Sequence, residues 1–351
     1  EMCIRDRNNS APYKTVLTHG FVVDEQGRKQ SKSLGNVVSP QKVWDSLGAD
    51  ILRLWVASTD FRSEMVASDE ILKRTSDQYR RIRNTFRFIL GNLNDFSDKN
   101  RIKFEDQVEL DKWVINETKI LQKEVIGLYE SYSYHKAIQK IHNFCVNELG
   151  GIYLDIVKDR LYTCKNNSLA RRSCQTSLDF ILNILVRLIA PILSYTAEEL
   201  WQTSNRLNTQ EESVFLSNFD VSEINFDSNI NQSEWKRIFE IKDAVNQSIE
   251  EMRNENKIKG SLDSVVDIQA TSNDLNVLKK LGDELHFLFI SSEANVNEGK
   301  NFKIKVSSSK NTKCVRCWHR CSSVGSSKEH PELCNRCIEN IDNNGEQRSF
   351  V

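Results

Sequence analysis

Cys314-Val-Arg-Cys317 and Cys334-Asn-Arg-Cys337 stand sixteen residues apart near the end of the chain. Two Cys-x-x-Cys knuckles at that spacing read as a four-thiolate zinc site. Zn²⁺ takes four soft ligands in a tetrahedron, and each knuckle presents two sulfurs from one tight turn. This reading decides the fold of residues 308–351. The segment is too small and polar to build an apolar core, so metal binding would supply its folding free energy. The competing reading, two disulfides in a secreted module, finds no support elsewhere in the chain. His319 and His330 are conceivable ligands, but four thiolates already close a structural site, which leaves no open position for catalysis. Cys321 then reads as a bystander thiol.

Working outward, 351 residues suffice for two or three domains, each with its own core. A hydrophobic content of 39% and a charged content of 28% mark a soluble globular chain rather than a disordered one. The net charge of −1 excludes wholesale polyanion binding and leaves only local patches. No apolar run reaches the roughly 18 residues needed to cross a bilayer, and no signal peptide is evident. The remaining cysteines (Cys3, Cys145, Cys164, Cys174 and Cys321) show no pairing pattern. Together with a thiolate site this suggests a reducing, cytoplasmic setting.

Near the start, Lys14–Val23 is strand-like, bounded by Asp24 and Gly27. Ser39-Pro40 predicts a helix start, with Ser39 as N-cap and Pro40 in the first turn. Val43, Leu47, Ile51, Leu54 and Trp55 follow at helical spacing, split by Gly48. Residues 66–206 read as a helical bundle. Its first stripe is Ile71, Thr75, Tyr79, Ile82, Phe86, Ile89 and Leu93. A second helix carries Leu110 to Leu128 and a third Ala137 to Ile156, with Gly150-Gly151 marking a close crossing or a break. A fourth runs from about Cys174 to Leu188 and stops at Pro191. Thr196-Ala-Glu-Glu199 fits a capping box that restarts it. Residues 203–233 read as an exposed linker. A further amphipathic helix carries Trp235 to Ile249 and ends near Gly260. Val265–Gln269, Leu285–Ile290 and Asn301–Val306 read as strands of a small α/β domain.

Between Gly27 and Asn36, Arg28, Lys29, Lys32 and two serines crowd one loop. Lysine ammonium groups neutralise charge on a leaving pyrophosphate, and a glycine-flanked loop can close on it. As composition alone, a solvated basic turn is the commoner explanation. The words are more specific than the composition. Lys29-Gln-Ser-Lys-Ser33 resembles the KMSKS signature of class I aminoacyl-tRNA synthetases. Pro12–Asp24, Ser33–Val37, Gly48–Trp55, Ser63–Arg74, Tyr79–Phe88, Tyr153–Tyr162 and Ala190–Trp201 resemble, in order, the bacterial isoleucyl type of that family. So does the zinc module with Cys317-Trp-His319. The resemblance covers residues 8–351.

What the resemblance implies is a mainly α chain. It would comprise the tail of a class I Rossmann-type catalytic domain, an α-helical anticodon-binding bundle, a small α/β junction domain and a C-terminal zinc ribbon. The expected boundaries are a non-native scar at 1–7, the catalytic-domain tail at 8–62 and the anticodon-binding domain at 63–206. A linker at 207–233, the α/β domain at 234–307 and the zinc module at 308–351 would follow. The family activates isoleucine with ATP and Mg²⁺ and transfers it to tRNA(Ile). Lys29 and Lys32 would be the catalytic lysines, and Lys32, Ser31 and Ser33 would hold ATP. Gln30 departs from the signature, standing where Met is usual, and would pack under the loop. The nucleotide-binding fold, its His-Ile-Gly-His signature and the editing domain are not in the sequence, so this chain alone is expected not to aminoacylate.

The resemblance also gives a tRNA surface. Lys73, Arg80 and Arg87 recur every seven residues, flanked by Arg74, Arg81 and Arg83, along one side of a helix. Cations there would hold phosphates of an anticodon stem and loop. Lys73, Arg80, Arg81, Arg87 and Trp318 are the candidate tRNA contacts, with Arg316, Arg320, Arg336 and His319 completing a candidate face on the zinc module. One zinc per chain, no membrane and a monomer are expected. A valyl-type fragment is the near alternative, disfavoured by the zinc ending. A stand-alone tRNA-binding module without catalysis, or a zinc-ribbon interaction protein, is the alternative from another class. His19, in the strand-like run beside the lysine loop, reads equally as a group facing ATP or substrate and as a structural histidine; His135 and His142 read as structural or surface residues and His286 as structural.

Overall fold

Only four prolines interrupt the chain, and its amphipathic runs fold as helices that bury their apolar stripes. The computed structural model describes residues 7, 10–204, 207, 211–219 and 226–351. The expected scar lies almost wholly outside the described residues, as do positions 208–210 and 220–225 of the expected linker.

The helices are α1 (Pro40–Leu47), α2 (Ala49–Ser58), α3 (Asp69–Gly91), α4 (Glu109–Glu130), α5 (Tyr134–Asn143) and α6 (Leu154–Thr163). They continue with α7 (Leu169–Ile189), α8 (Ser194–Thr203), α9 (Gln232–Asn254), α10 (Ser272–Lys279), the single turn α11 (Leu285–Leu288) and α12 (Asn335–Asp342). The chain divides into two compact units. The first is Glu1–Arg83 with Glu124–His142 and Arg187–Ser217; the second is Asn84–Lys123 with Asn143–Val186 and Asn218–Val351.

In the first unit, strand β1 (Val22–Val23) pairs in parallel with β2 (Met65–Val66). The strand expected over Lys14–Val23 therefore shrinks to its last two residues. Tyr13, Val16, Leu17 and Phe21 are exposed, and without a neighbouring ladder their β-propensity is not realised. Gly20 is obligatory, because a Cβ there would stand 2.1 Å from the Ser63 carbonyl oxygen. Val43, Trp55, Met65, Ala67 and Leu72 form the local core. Pro40 opens α1 as expected, although the Ser39 side chain makes no cap bond.

The capping box expected at Thr196–Glu199 does not form. Thr196 lies inside α8, and Glu199 instead takes a bidentate pair from Arg83 at 2.8 Å. The cap comes from α2. The Asp50 carboxylate accepts from Tyr195 N at 3.2 Å, Thr196 N at 2.7 Å and Thr196 Oγ1 at 2.6 Å. One turn on, Arg53 donates to the Ile192 and Pro191 carbonyls at 2.8 and 2.9 Å. The Gly48–Trp55 stretch thus clamps the turn before α8, satisfying both orphan N–H and orphan C=O groups. Asp50→Ala should destabilise this unit by about 1–3 kcal/mol, read as a lower thermal midpoint. An unchanged midpoint would mean that α8 is capped by something else.

In the second unit, Phe144–Tyr153 is a π-helical segment between α5 and α6. Gly150-Gly151 marks neither a break nor a crossing. A Cβ on Gly150 would meet the Cys145 carbonyl, five residues back, at 3.1 Å, which is the crowding of a wider helix. The polar centre is Asp111 near the start of α4. Its carboxylate takes both terminal nitrogens of Arg160 at 2.8 and 2.6 Å, the Tyr153 hydroxyl at 2.7 Å and the Ser173 hydroxyl. All four side chains are buried. Burial, and then the neighbouring Asp111 carboxylate, hold the Tyr153 hydroxyl well above its ordinary pKa.

The three-stranded sheet has the order β4 (Glu293–Glu298), β3 (Ser264–Ala270), β5 (Lys303–Ser308). Strand β3 runs parallel to β4 and antiparallel to β5. Two expected strands are present. The third, Leu285–Ile290, is instead the helical turn α11, which buries Leu285, Phe287 and Leu288. A six-residue apolar run does not distinguish buried helix from strand. The true third strand, Glu-Ala-Asn-Val-Asn-Glu, carries too little apolar pattern to be read in sequence.

Candidate functional site

The lysine loop is a hairpin closed by backbone bonds from Asp24 N to Arg28 O (2.9 Å) and from Gln30 N to Val22 O (3.0 Å). Beyond it, Lys32–Leu34 makes one 3₁₀ turn that ends at Gly35 with φ +66°, a conformation that suits glycine. Asn36 pins the loop from below. Its amide donates to Asp24 Oδ2 at 2.9 Å, and its Oδ1 accepts from Ser31 N at 3.0 Å. That amide, opposed by burial and assisted by Arg28, holds the Asp24 carboxyl well below the usual carboxylate range. The Ser31 and Ser33 hydroxyls lie 3.1 Å apart. Gln30 is half-buried, and its Oε1 accepts from Val38 N at 3.2 Å. It therefore packs under the loop. The two lysines separate. Both are exposed; Lys29 Nζ sits 3.7 Å from the centre of the Phe21 ring, whereas Lys32 stands at the start of the 3₁₀ turn. His19 Nδ1 lies 2.8 Å from the Gly20 carbonyl oxygen.

At the other end, the sulfurs of Cys314, Cys317, Cys334 and Cys337 are buried and lie within 4.8 Å of one another. Cys314–Cys337 and Cys317–Cys334 are 3.7 Å apart, sulfur to sulfur. Four thiolates about 2.3 Å from one zinc stand about 3.8 Å apart by tetrahedral geometry, so the residues fit the ion. A disulfide needs about 2.05 Å, so the cluster is not the pair of disulfides of the competing reading. The cage is set by the backbone: Trp318 N donates to Cys314 O at 3.0 Å, Cys314 N to His319 O at 2.9 Å, and Cys334 N to Cys314 Sγ at 3.4 Å. A set of four cysteines belongs to structural zinc. Cys321 is half-buried against the cluster. Cys145, Cys164 and Cys174 are buried free thiols, and Cys3 lies outside the described residues.

Asp159 on α6 holds this module in place. Arg336 meets it bidentately at 2.6 and 2.8 Å, and Arg348 at 2.8 Å. Burial alone would raise the Asp159 pKa, but Arg336 and then Arg348 outweigh it and hold the carboxyl well below its usual range. This corrects the face expected on the zinc module. Arg336 is spent on Asp159, Arg316 on the Thr163 carbonyl at 2.6 Å, and Arg320 on Asp263 at 2.7 Å. Buried His319 packs edge-on to Phe287, with ring centres 5.6 Å apart. Of that face only Trp318 remains exposed, at 60%. Sequence alone offered no sign that these arginines act as internal braces.

On α3, Lys73, Arg80, Arg81 and Arg87 are all exposed. Arg80 pairs with Asp77 at 2.8 Å and Arg74 with Glu70. Lys73 and Arg87 make no ion pair among the described residues.

Three family models match. "tRNA synthetases class I (I, L, M and V)" covers residues 2–68, "Anticodon-binding domain of tRNA ligase" covers 111–269, and "Zinc finger found in FPG and IleRS" covers 312–340. Isoleucine–tRNA ligase of Teredinibacter turnerae is 46% identical over 98% of this chain, and that of Ruthia magnifica 48% identical over 98%. The chain belongs to the isoleucine–tRNA ligase family. It spans 38% of the length of these relatives. A solved ternary complex, Agrobacterium radiobacter K84 agnB2 LeuRS-tRNA-LeuAMS, covers 54% of this chain and 22% of its own, at 28% identity and a TM-score of 0.42. Within the ligase family match, the lysine loop falls in the class I synthetase segment and the four cysteines in the zinc-finger segment. The basic face of α3 lies between two matched segments. No described helix is long and apolar enough to cross a membrane.

Proposed function

We propose that this chain serves an isoleucine–tRNA ligase as the part that closes on ATP and holds tRNA(Ile). The parent enzyme activates isoleucine with ATP and Mg²⁺ and passes it to the tRNA. Residues 8–62 act as the end of the catalytic domain, and the helices of 63–206 as the anticodon-binding domain. Residues 234–307 and the zinc module at 308–351 extend that tRNA-binding surface. The enzyme works as a cytoplasmic monomer.

The observation that carries this reading is the pinned loop that leaves Lys32 exposed. A cation held on a short turn can follow the β- and γ-phosphates as charge builds on the leaving pyrophosphate. Ser31 and Ser33 add hydroxyls at the same turn. Lys29, resting on Phe21, keeps its charge beside the loop and is free to swing to phosphate as the loop closes. Lys73, Arg80, Arg81 and Arg87 offer cations to the phosphates of the tRNA, and Trp318 offers a stacking face.

Lys32→Ala in the full-length ligase should lower isoleucine-dependent ATP–pyrophosphate exchange by about 100- to 1,000-fold, mainly in kcat. Lys29→Ala should cost less. Exchange at the normal rate in the Lys32→Ala enzyme would overturn the assignment of this loop.

A further inference from the structure

Beside α6, the turn Ser261–Asp263 and α11 lies a pocket of about 480 Å³. Ile156, Tyr162, Leu262, Phe287, Ile290 and Trp318 make its walls apolar. Its charged groups are committed elsewhere. Asp155 and Lys158 hold each other at 2.8 Å, Asp159 holds Arg336 and Arg348, and Arg316 donates to the Thr163 carbonyl at 2.6 Å. Thr163 Oγ1 donates to the Asp159 carbonyl at 2.7 Å, and Cys317 belongs to the metal cage. Its two cations, Lys158 and Arg316, are thus both engaged, and the pocket has no free charge for a phosphate or a carboxylate. One polar group is left over. His319 lines the pocket and is 5% exposed, and neither of its ring nitrogens makes a hydrogen bond of acceptable geometry among the described residues. Buried polar groups are nearly always paired, so an imidazole left over at a cavity wall points to a partner that comes from outside the chain.

The walls also carry strain. Four described non-glycine residues have a positive φ, and two of them line this pocket: Ile290 at +53° and Trp318 at +66°. The left-handed region is costly for a branched or bulky side chain. At Ile290 the turn that closes α11 imposes it, with Ile290 N donating to Phe287 O at 3.2 Å and Ser291 N to His286 O at 3.0 Å. Glycine would relax both positions, but it would leave the pocket without two of its walls. Strain that persists where a cavity needs a side chain is found at ligand sites.

We propose that this pocket binds a small, uncharged, flat-ringed molecule of the indole or phenol type, its ring against Tyr162, Leu262 and Ile290 and its N–H or O–H donated to the His319 ring. A neutral imidazole has one acceptor nitrogen to receive it. The apolar walls take the ring out of water, and the aromatic ones accept it edge-on or offset. The volume falls within the roughly 300–1,000 Å³ of small-molecule sites, which are apolar with a few placed polar groups. Such a ligand touches α6, the turn Ser261–Asp263 and α11 at once, so it adds a contact that fastens these elements together. The inference stands independently of the tRNA-binding reading.

Indole is the probe, titrated calorimetrically into the zinc-loaded chain. One equivalent should bind with a Kd of about 0.1–1 mM, as expected of so small a molecule, and should raise the melting temperature. 1-Methylindole lacks the N–H and should bind about fivefold more weakly. His319→Phe should keep the wall and erase that difference between the two probes. Leu262→Trp should fill the pocket and abolish binding of both. Tyr162 is 60% exposed and outside the metal module, so Tyr162→Ala tests the pocket without disturbing the knuckle; it should lose about tenfold. No saturable binding of indole to the wild-type chain would overturn the proposal. So would equal affinity for the two probes, or wild-type affinity for indole in both Leu262→Trp and Tyr162→Ala.

Discussion

Stripping zinc from the chain should melt residues 312–340 while leaving α4 and α7 folded. The apolar contacts of the module are the four cysteines themselves, with Val324 and Leu333 packed around them. Without the ion, the four buried sulfurs, which lie within 4.8 Å of one another, lose the bonds that tie one knuckle to the other. Structural zinc binding is worth about 10–16 kcal/mol in small modules at neutral pH, which is larger than any other single contribution in this segment. Cys334→Ser should act like chelation, dropping zinc from one per chain to well below one. Because thiolates must lose their protons to bind, zinc affinity should fall as the pH falls. Hydrogen exchange with mass spectrometry checks this directly. Amides of 312–340 should lose protection on chelation, and those of α4 and α7 should keep it. Equal protection with and without zinc would refute the account of this module. The Trp318 ring should be lost as a contact at the same time, since the knuckle alone fixes its backbone.

Arg160→Met should be the most damaging single substitution in the second unit, at about 3–5 kcal/mol. Arg160 is 1% exposed, and Asp111 is fully buried. Removing the guanidinium leaves the carboxylate with two hydroxyl donors and no counter-charge in a dry core. The double change Asp111→Asn with Arg160→Met should recover part of the loss, because it also removes the stranded charge. The change in urea midpoint reports both. If the single and double variants lose the same stability, the stranded carboxylate is not the source of the cost.

The zinc site was legible in the sequence because four spaced thiols have few other uses, and the lysine loop because its words are specific. The long helices were legible through their apolar stripes. What was hidden depends on contacts distant in sequence. Asp50 reads as an ordinary helix residue until it caps an element more than 140 positions away. Arg316, Arg320 and Arg336 looked like free cations because nothing local reveals their partners Thr163, Asp263 and Asp159. Strand β4 was missed because its side chains are mostly polar, and α11 was misread because its run is too short to show a period. Gly150-Gly151 signalled something real, but the π-helical path that needs it has no sequence signature of its own.

The most direct measurement is equilibrium binding of tRNA(Ile) to the zinc-loaded chain, compared with the same tRNA carrying a foreign anticodon. A surface that holds the anticodon stem and loop predicts tight binding of the first, with a steep salt dependence from phosphate contacts. It predicts clear weakening of the second, by about 1–3 kcal/mol per lost base contact. Equal affinity for the two, or no binding of either, would contradict the assignment of this chain as the anticodon-holding part of an isoleucine–tRNA ligase.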